Sequence, residues 1–197
     1  MELARPSRTD ALWLAVALTF LSASGPIIAA TAAPALAIAF WRCAIGSGVT
    51  GIWVLARQRV ELRRLNRREM RLIVSAGVLL GLHFATWVPS LRFTSVAAST
   101  ALVATQPVWA ALIARARGVH IAPTAWLGIG IALAGVLVLT GIDVSLDPRH
   151  LIGDGLALLG AMFSAAYVSV GEHARKSVST STMTFILYGV SALTVLV

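Results

Sequence analysis

Seven stretches of the sequence run for about 17 to 22 residues with almost no Asp, Glu, Lys or Arg, and a helix needs roughly 20 mostly apolar residues to cross a bilayer. They fall at approximately 11–31, 35–56, 72–91, 94–114, 122–142, 153–171 and 181–197. The runs are long and do not alternate with period two, so a β-barrel is rejected. Composition agrees. Hydrophobic residues make up 58% of the chain and charged residues 12%, about half the usual charged share. A soluble chain this apolar would have too little polar surface to cover its core. The expected fold is an all-α membrane protein, a multi-span helical bundle, with the third and fourth spans joined tightly through Leu91, Arg92 and Phe93.

Sixteen Lys and Arg against 8 Asp and Glu give a net charge of +8, which in a soluble chain would point to nucleic acid. Here the basic residues sit between the apolar runs, so the charge encodes topology and no nucleic-acid partner is expected. With the N-terminus inside, the inner side carries Arg5 and Arg8, seven Arg between 57 and 71, Arg115 and Arg117, and Arg175 with Lys176. Only Arg92 and Arg149 fall outside, and Arg42 lies within a span. This bias predicts a multi-pass protein of the cell inner membrane with a cytoplasmic N-terminus. The 57–71 segment reads first as a stop-transfer and orientation signal; membrane lipids with anionic headgroups are its second candidate partner. Trp13, Trp53, Trp109 and Trp126 fit an inner interfacial belt and Trp87 an outer one, while Trp41 lies deeper. Arg5 and Arg8 ahead of an apolar run, with Ala30, Thr31 and Ala32 after it, have the form of a cleavable leader. Asp10 and the length of the run suit a retained span better.

An internal match aligns residues 10–18 with 154–162: Asp10 with Asp154, and two Leu and one Ala in register. Five spans separate the copies, so the second enters the membrane from the opposite side. Such inverted repeats place a substrate site near the midplane between the two halves.

Several stretches resemble one family. Residues 153–167, from Gly153-Asp154 to Tyr167, are similar to the opening helix of an EamA repeat in the drug/metabolite transporter superfamily. Residues 91–102, followed by Pro107, resemble the third-to-fourth helix hairpin of that repeat. Phe40, Trp41 and Arg42 sit where its second helix often carries Arg, and residues 126–137 resemble its fifth helix. The resemblance implies one five-helix repeat over 11–142 and the first two helices of an inverted, incomplete second repeat over 153–197. It also implies ten helices in all, cytoplasmic termini, and export or exchange of small metabolites. On this reading the chain is a fragment of a ten-helix protein; a chain complete at 197 residues would act as a homodimer. Where the family commonly has Gly-Glu between its fourth and fifth helices, this chain has Gly118, Val119 and His120.

The candidate cavity residues are Arg42, Trp41, His83, Trp87, Ser99, Gln106, Ser164 and Tyr167. Arg42 is too costly to face lipid. It either grips a substrate carboxylate or phosphate through its fork of donors, or anchors structure by bonding helix-end carbonyls or stacking on Trp41. His83 is either a proton-coupling group or a buried histidine bonded to a neighbouring helix. Thr86 and Trp87 share its face. Ser99 and Gln106 share a face as well, and either line the cavity or bond between helices. Ser164 and Tyr167 present hydroxyls from one face of the sixth span. Pro26 and Pro107 are expected to kink their helices, the second freeing the Val103 carbonyl. Asp10 and Asp154 read as helix caps. Gly77 with Gly81, and Gly128, Gly130 and Gly135, read as close-packing positions.

The single cysteine, Cys43, excludes an internal disulfide and a Cys-based metal site. No catalytic, nucleotide or metal motif is present, so neither an enzyme nor a cofactor is expected. The function expected is a secondary transporter that exports or exchanges small metabolites by alternating access, its substrate an amino-acid-like or other carboxylate-bearing solute. The alternatives are a membrane enzyme acting on lipid or isoprenoid substrates, with Asp143, Asp147 and His150 as its acids and base, or a structural membrane subunit.

Overall fold

The computed structural model describes residues 7–140 and 147–196, all of whose regular structure is helical. The helices are α1 (Arg8–Ala30), α2 (Ala35–Arg57), α3 (Arg59–Arg64), α4 (Arg67–Ser90), α5 (Val96–Val103), α6 (Gln106–Ala116), α7 (Pro123–Thr140), α8 (Pro148–Ala174) and α9 (Thr180–Val195). By length and composition five segments among the described residues can cross a membrane: α1 from Thr9, α2, α4, α5 with α6, and α8. The apolar helices Pro123–Val138 and Thr180–Val195 are shorter; the 16 residues of α9 span about 24 Å.

Helix starts are set by caps, and this moves two of them away from the hydropathy boundaries. Asn66 accepts from the amides of Arg68 and Glu69 while Glu69 bonds back to Asn66, so α4 begins at Arg67, five residues before the expected 72. Asp147 accepts from the Arg149 amide with Pro148 at the first helical position, so α8 begins at Pro148 rather than 153. Asp154 is therefore not a cap: it lies inside α8, with Oδ1 buried and unpartnered. Asp10 does cap, in a reciprocal box with Ser7. Arg5 and Asp143 lie outside the described residues.

Pro107 does more than bend its helix. α5 stops at Val103 and α6 restarts at Gln106. Between them Thr105 N–H donates to Leu102 (3.1 Å) and Val108 N–H to Thr105 (2.9 Å), a tighter i−3 turn. The Thr105 hydroxyl also donates to the Leu102 carbonyl at 2.6 Å. Pro26 instead sits inside an unbroken α1.

Four helices form the packed centre. α4 packs on α8, α9 and α2; α9 packs on α2, and α5 and α6 on α8. A Cβ on Gly77 would lie 2.7 Å from Val190, and one on Gly81 2.6 Å from Thr194, so α4 and α9 run parallel in near-backbone contact. Gly160 meets Trp87 and Gly153 meets Thr94, which makes α4 and α8 antiparallel. Gly46 meets Tyr188 and Gly51 meets Phe185, which makes α2 and α9 antiparallel. The expectation for α7 fails: a Cβ on Gly128, Gly130 or Gly135 would meet nothing within 4 Å. Gly118 ends α6 with φ +81, while Val119 N–H donates back to Ala114 at 3.0 Å, a left-handed cap that favours glycine.

The connections group on two sides. On one, Glu61 of α3 accepts from the Ser179 amide (2.7 Å) and from the Ser179 and Thr182 hydroxyls (2.6 Å each). This joins the arginine-rich 57–71 segment to the start of α9. On the other, Arg92 donates to the carbonyls of Thr31 and Ala33, and Arg149 donates to the Arg92 carbonyl at 3.3 Å. The Ser179 and Thr182 hydroxyls hold the Glu61 carboxyl below its ordinary range.

Two tests follow from these contacts. Gly153→Ala would put a Cβ 2.7 Å from the Thr94 amide nitrogen, a backbone atom, and should destabilise by about 1–3 kcal/mol; Gly128→Ala should be neutral or mildly stabilising, both read by thermal unfolding in detergent. A carboxyl whose pKa falls on folding contributes stability above its unfolded range and loses it as pH drops through the folded value. Wild-type thermal stability should therefore fall between about pH 5 and pH 3. Glu61→Gln, which keeps an acceptor but not the titration, should flatten that part of the profile.

Candidate functional site

Between α1, α2, α4, the α5–α6 break, α8 and α9 lies a cavity of about 830 Å³, at the upper part of the range of small-molecule sites. It reaches from Glu172, Arg175 and Thr180, at the ends of α8 and α9 on the side of the basic segment, to Trp87 and Thr100 in the opposite half. Six of the eight residues singled out in the sequence line it or sit in its wall: Arg42, His83, Trp87, Gln106, Ser164 and Tyr167.

Arg42 reaches the cavity from about two turns into α2. Its guanidinium lies over the Phe84 ring at 4.7 Å and the Trp87 ring at 5.8 Å, contacts that favour a cation over an aromatic face. Stacking on Trp41, one of the two structural roles considered, does not occur. One terminal nitrogen, Nη1, is buried with no hydrogen-bond partner. A buried donor left unbonded costs about 1–3 kcal/mol, and more when charged.

His83 is tied to the fold. Its Nδ1–H donates to the Gly160 carbonyl of α8 at 2.8 Å, and its ring stacks on Trp87 at 5.6 Å with the planes 12° apart. It is 7% exposed, so it meets the expectation of a buried histidine bonded across helices while its ring still forms part of the wall. Trp87 is likewise buried rather than in an interfacial belt, and its indole nitrogen has no partner. The cavity face of α4 is thus Leu80, His83, Phe84 and Trp87, spaced as one helical face.

Two predicted members lie elsewhere. Trp41 is 61% exposed and turned out of the bundle, its ring edge-on to Phe40 at 5.2 Å; the adjacent position on a helix is rotated by about 100°, so Arg42 and Trp41 cannot both face inward. Ser99 is fully buried and 2.7 Å from the Ser90 hydroxyl, which itself donates to the Trp87 carbonyl. It locks the α4–α5 hairpin instead of lining the cavity. The α5–α6 break removes the shared face assumed for Ser99 and Gln106. Pro26 leaves the Ser22 carbonyl without its helical donor, and Ser22 is on the cavity wall.

Sequence reasoning missed Phe84, Thr184 and Tyr188. Thr184 and Tyr188 are four residues apart on α9 and share a face. The available signal was Gly46, one turn beyond Arg42, whose missing side chain leaves space for the Tyr188 ring.

The region that carries most of this site matches a known family: the model of the EamA-like transporter family covers residues 9–141, from the first turn of α1 to just beyond α7. The chain belongs to the EamA-like transporter family. It is a membrane transporter of the drug/metabolite transporter superfamily, and members of the EamA-like family are transporters rather than enzymes. No curated protein and no solved structure gives a match. In this EamA-family chain Arg42, His83, Trp87 and Gln106 fall within the matched region, whereas Ser164, Tyr167 and Tyr188 come from the helices that follow it.

Site-directed labelling checks the geometry without reference to substrate. With buried Cys43 replaced by Ser, Thr184→Cys and Gln106→Cys should react readily with a small water-soluble thiol reagent added from the side of the basic segment. Ser99→Cys should stay unreactive under the same conditions.

Proposed function

We propose that this EamA-family protein is a secondary transporter of the cell inner membrane that exports or exchanges small carboxylate-bearing solutes, amino-acid-like ones among them, by alternating access. The observation that carries the substrate reading is Arg42, whose Nη1 is buried in the cavity wall with no hydrogen-bond partner. A carboxylate supplies two acceptor oxygens in the geometry of the guanidinium fork and neutralises its charge. A cation entering the same space meets a like charge in the cavity wall. Phe84, Trp87 and Tyr188 offer apolar faces to the remainder of a small solute.

The transport cycle is supported by the asymmetry of the two sides. The cavity extends to Glu172 and Arg175 on the side of the 57–71 segment, which the positive-inside bias assigns to the cytoplasm together with the N-terminus. On the far side the connections are tied together by the Ser90–Ser99 bond and by the carbonyl bonds of Arg92 and Arg149. Release on the far side requires these bonds to part while the basic side closes. Residues 11–142 act as one five-helix repeat and 153–197 as the opening of an inverted second one, with solute held where they meet.

In proteoliposomes, uptake of radiolabelled carboxylates, amino acids included, should exceed that of cationic dyes. Arg42→Ala should weaken binding on the order of 30-fold or more, the cost of removing one member of a buried charge pair. Arg42→Lys should restore little, because an ammonium cannot form the bidentate contact. Selective dye transport, or carboxylate uptake indifferent to Arg42→Ala, would sink the proposal.

A further inference from the structure

The stretch 57–71, from the end of α2 through α3 to the start of α4, carries charge that the fold does not neutralise. Its seven arginines, at 57, 59, 63, 64, 67, 68 and 71, are all exposed. Its two carboxylates are engaged elsewhere. Glu61 holds the Ser179 and Thr182 hydroxyls; Glu69 accepts from the Asn66 amide at 2.9 Å and closes the cap of α4. Among the described residues none of the seven guanidiniums is paired with a carboxylate. An orientation signal needs only the count of positive charges. It does not explain why Glu61 turns toward the start of α9 and Glu69 closes the cap of α4, leaving the arginines without a carboxylate partner.

The surroundings of the arginines identify what they meet. Arg57 lies over the Trp53 ring at 5.6 Å, and a half-exposed tryptophan marks the headgroup level of a membrane. Leu55 and Val60 are 44% and 62% exposed beside it. At the junction of α3 and α4, Leu65, Asn66, Arg67, Met70 and Arg71 line a depression of about 550 Å³. Arg67 and Arg71 stand one turn apart on the same face of α4, with Met70 between them. Two guanidiniums suit a phosphodiester, and the exposed apolar side chains suit the acyl chains below it. A water-soluble acidic partner has no use for the latter.

We propose that this face is a binding site for anionic phospholipid headgroups, with the phosphate held between Arg67 and Arg71 and the acyl chains lying along Met70 and the apolar flank of α2 and α3. The experiment is native mass spectrometry of the full chain released from detergent, titrated with phosphatidylglycerol or phosphatidylcholine, and thermal unfolding in the same lipids and in inorganic phosphate. Wild type should retain phosphatidylglycerol and unfold at a higher temperature in it, with no comparable effect of phosphatidylcholine or inorganic phosphate. Arg67→Gln with Arg71→Gln should weaken phosphatidylglycerol retention on the order of 30-fold, given the contribution of each basic residue at a membrane surface. Arg115→Gln with Arg117→Gln, which removes the same charge from another connection, should change it little. Equal loss in both double variants, equal retention of the two lipids, or equal stabilisation by inorganic phosphate would overturn the proposal. If the Arg67/Arg71 double variant does not fold, Arg63→Gln with Arg64→Gln takes its place: lower retention than in the Arg115/Arg117 control supports the site, and retention equal to that control overturns it.

Discussion

Lipid gives helices no hydrophobic reason to leave it for one another, so association in a bilayer has to come from close van der Waals contact and from hydrogen bonds between helices. In this chain α4 meets that requirement for everything around it. Gly77 and Gly81 let α9 approach to the backbone, and the Ser191 hydroxyl donates to the Gly77 carbonyl at 2.8 Å across that contact. On the opposite face Gly160 admits the Trp87 backbone, and its carbonyl accepts the hydrogen bond from His83 Nδ1–H. The aromatic wall of the cavity is the remaining face of the same helix. A shift of α4 would move Phe84 and Trp87 relative to Arg42, so helix packing and the cavity-facing surface are one mechanical unit.

The periphery contrasts with this centre. α1 and α7 each touch chiefly α5, and their apolar side chains, such as Phe20 at 75% and Val138 at 82% exposure, point away from the bundle. Packing and exposure therefore divide the helices into a dense inner set and an outer pair, and the cavity lies inside the first with only one stretch of α1 on its edge.

Much of this was legible in the residues. Hydrophobic run length located every long helix because the bilayer fixes that length, and the spacing of basic residues sorted the connections into the two groups that bonds such as Glu61–Ser179 and Arg92–Thr31 now join. Six cavity residues were recognisable because a polar group at membrane depth needs a reason to be there. The failures have equally physical causes. Hydropathy sees the edge of the membrane and not the edge of the helix, so α4 and α8 began earlier than expected, at caps made by Asn66 and Asp147. Small residues mark close packing only where a neighbour arrives, which happened at Gly77 and not at Gly128. Trp41 and Ser99 were misassigned because facing depends on rotation about the helix and on the break before Pro107, neither of which a hydrophobic run records.

The placement of Arg42 has an electrical side as well. A protein that opens a water-accessible hollow within a membrane risks short-circuiting the potential across it. A fixed guanidinium two turns into α2, seated on Phe84 and Trp87, raises the electrostatic barrier for protons and metal cations along that route, as a single arginine does in channel pores. Its strength is greatest where the surroundings are least polarisable. In the proposed cycle the charge that would hold a solute would thus also insulate the membrane against the leak that a hydrated cavity would otherwise invite.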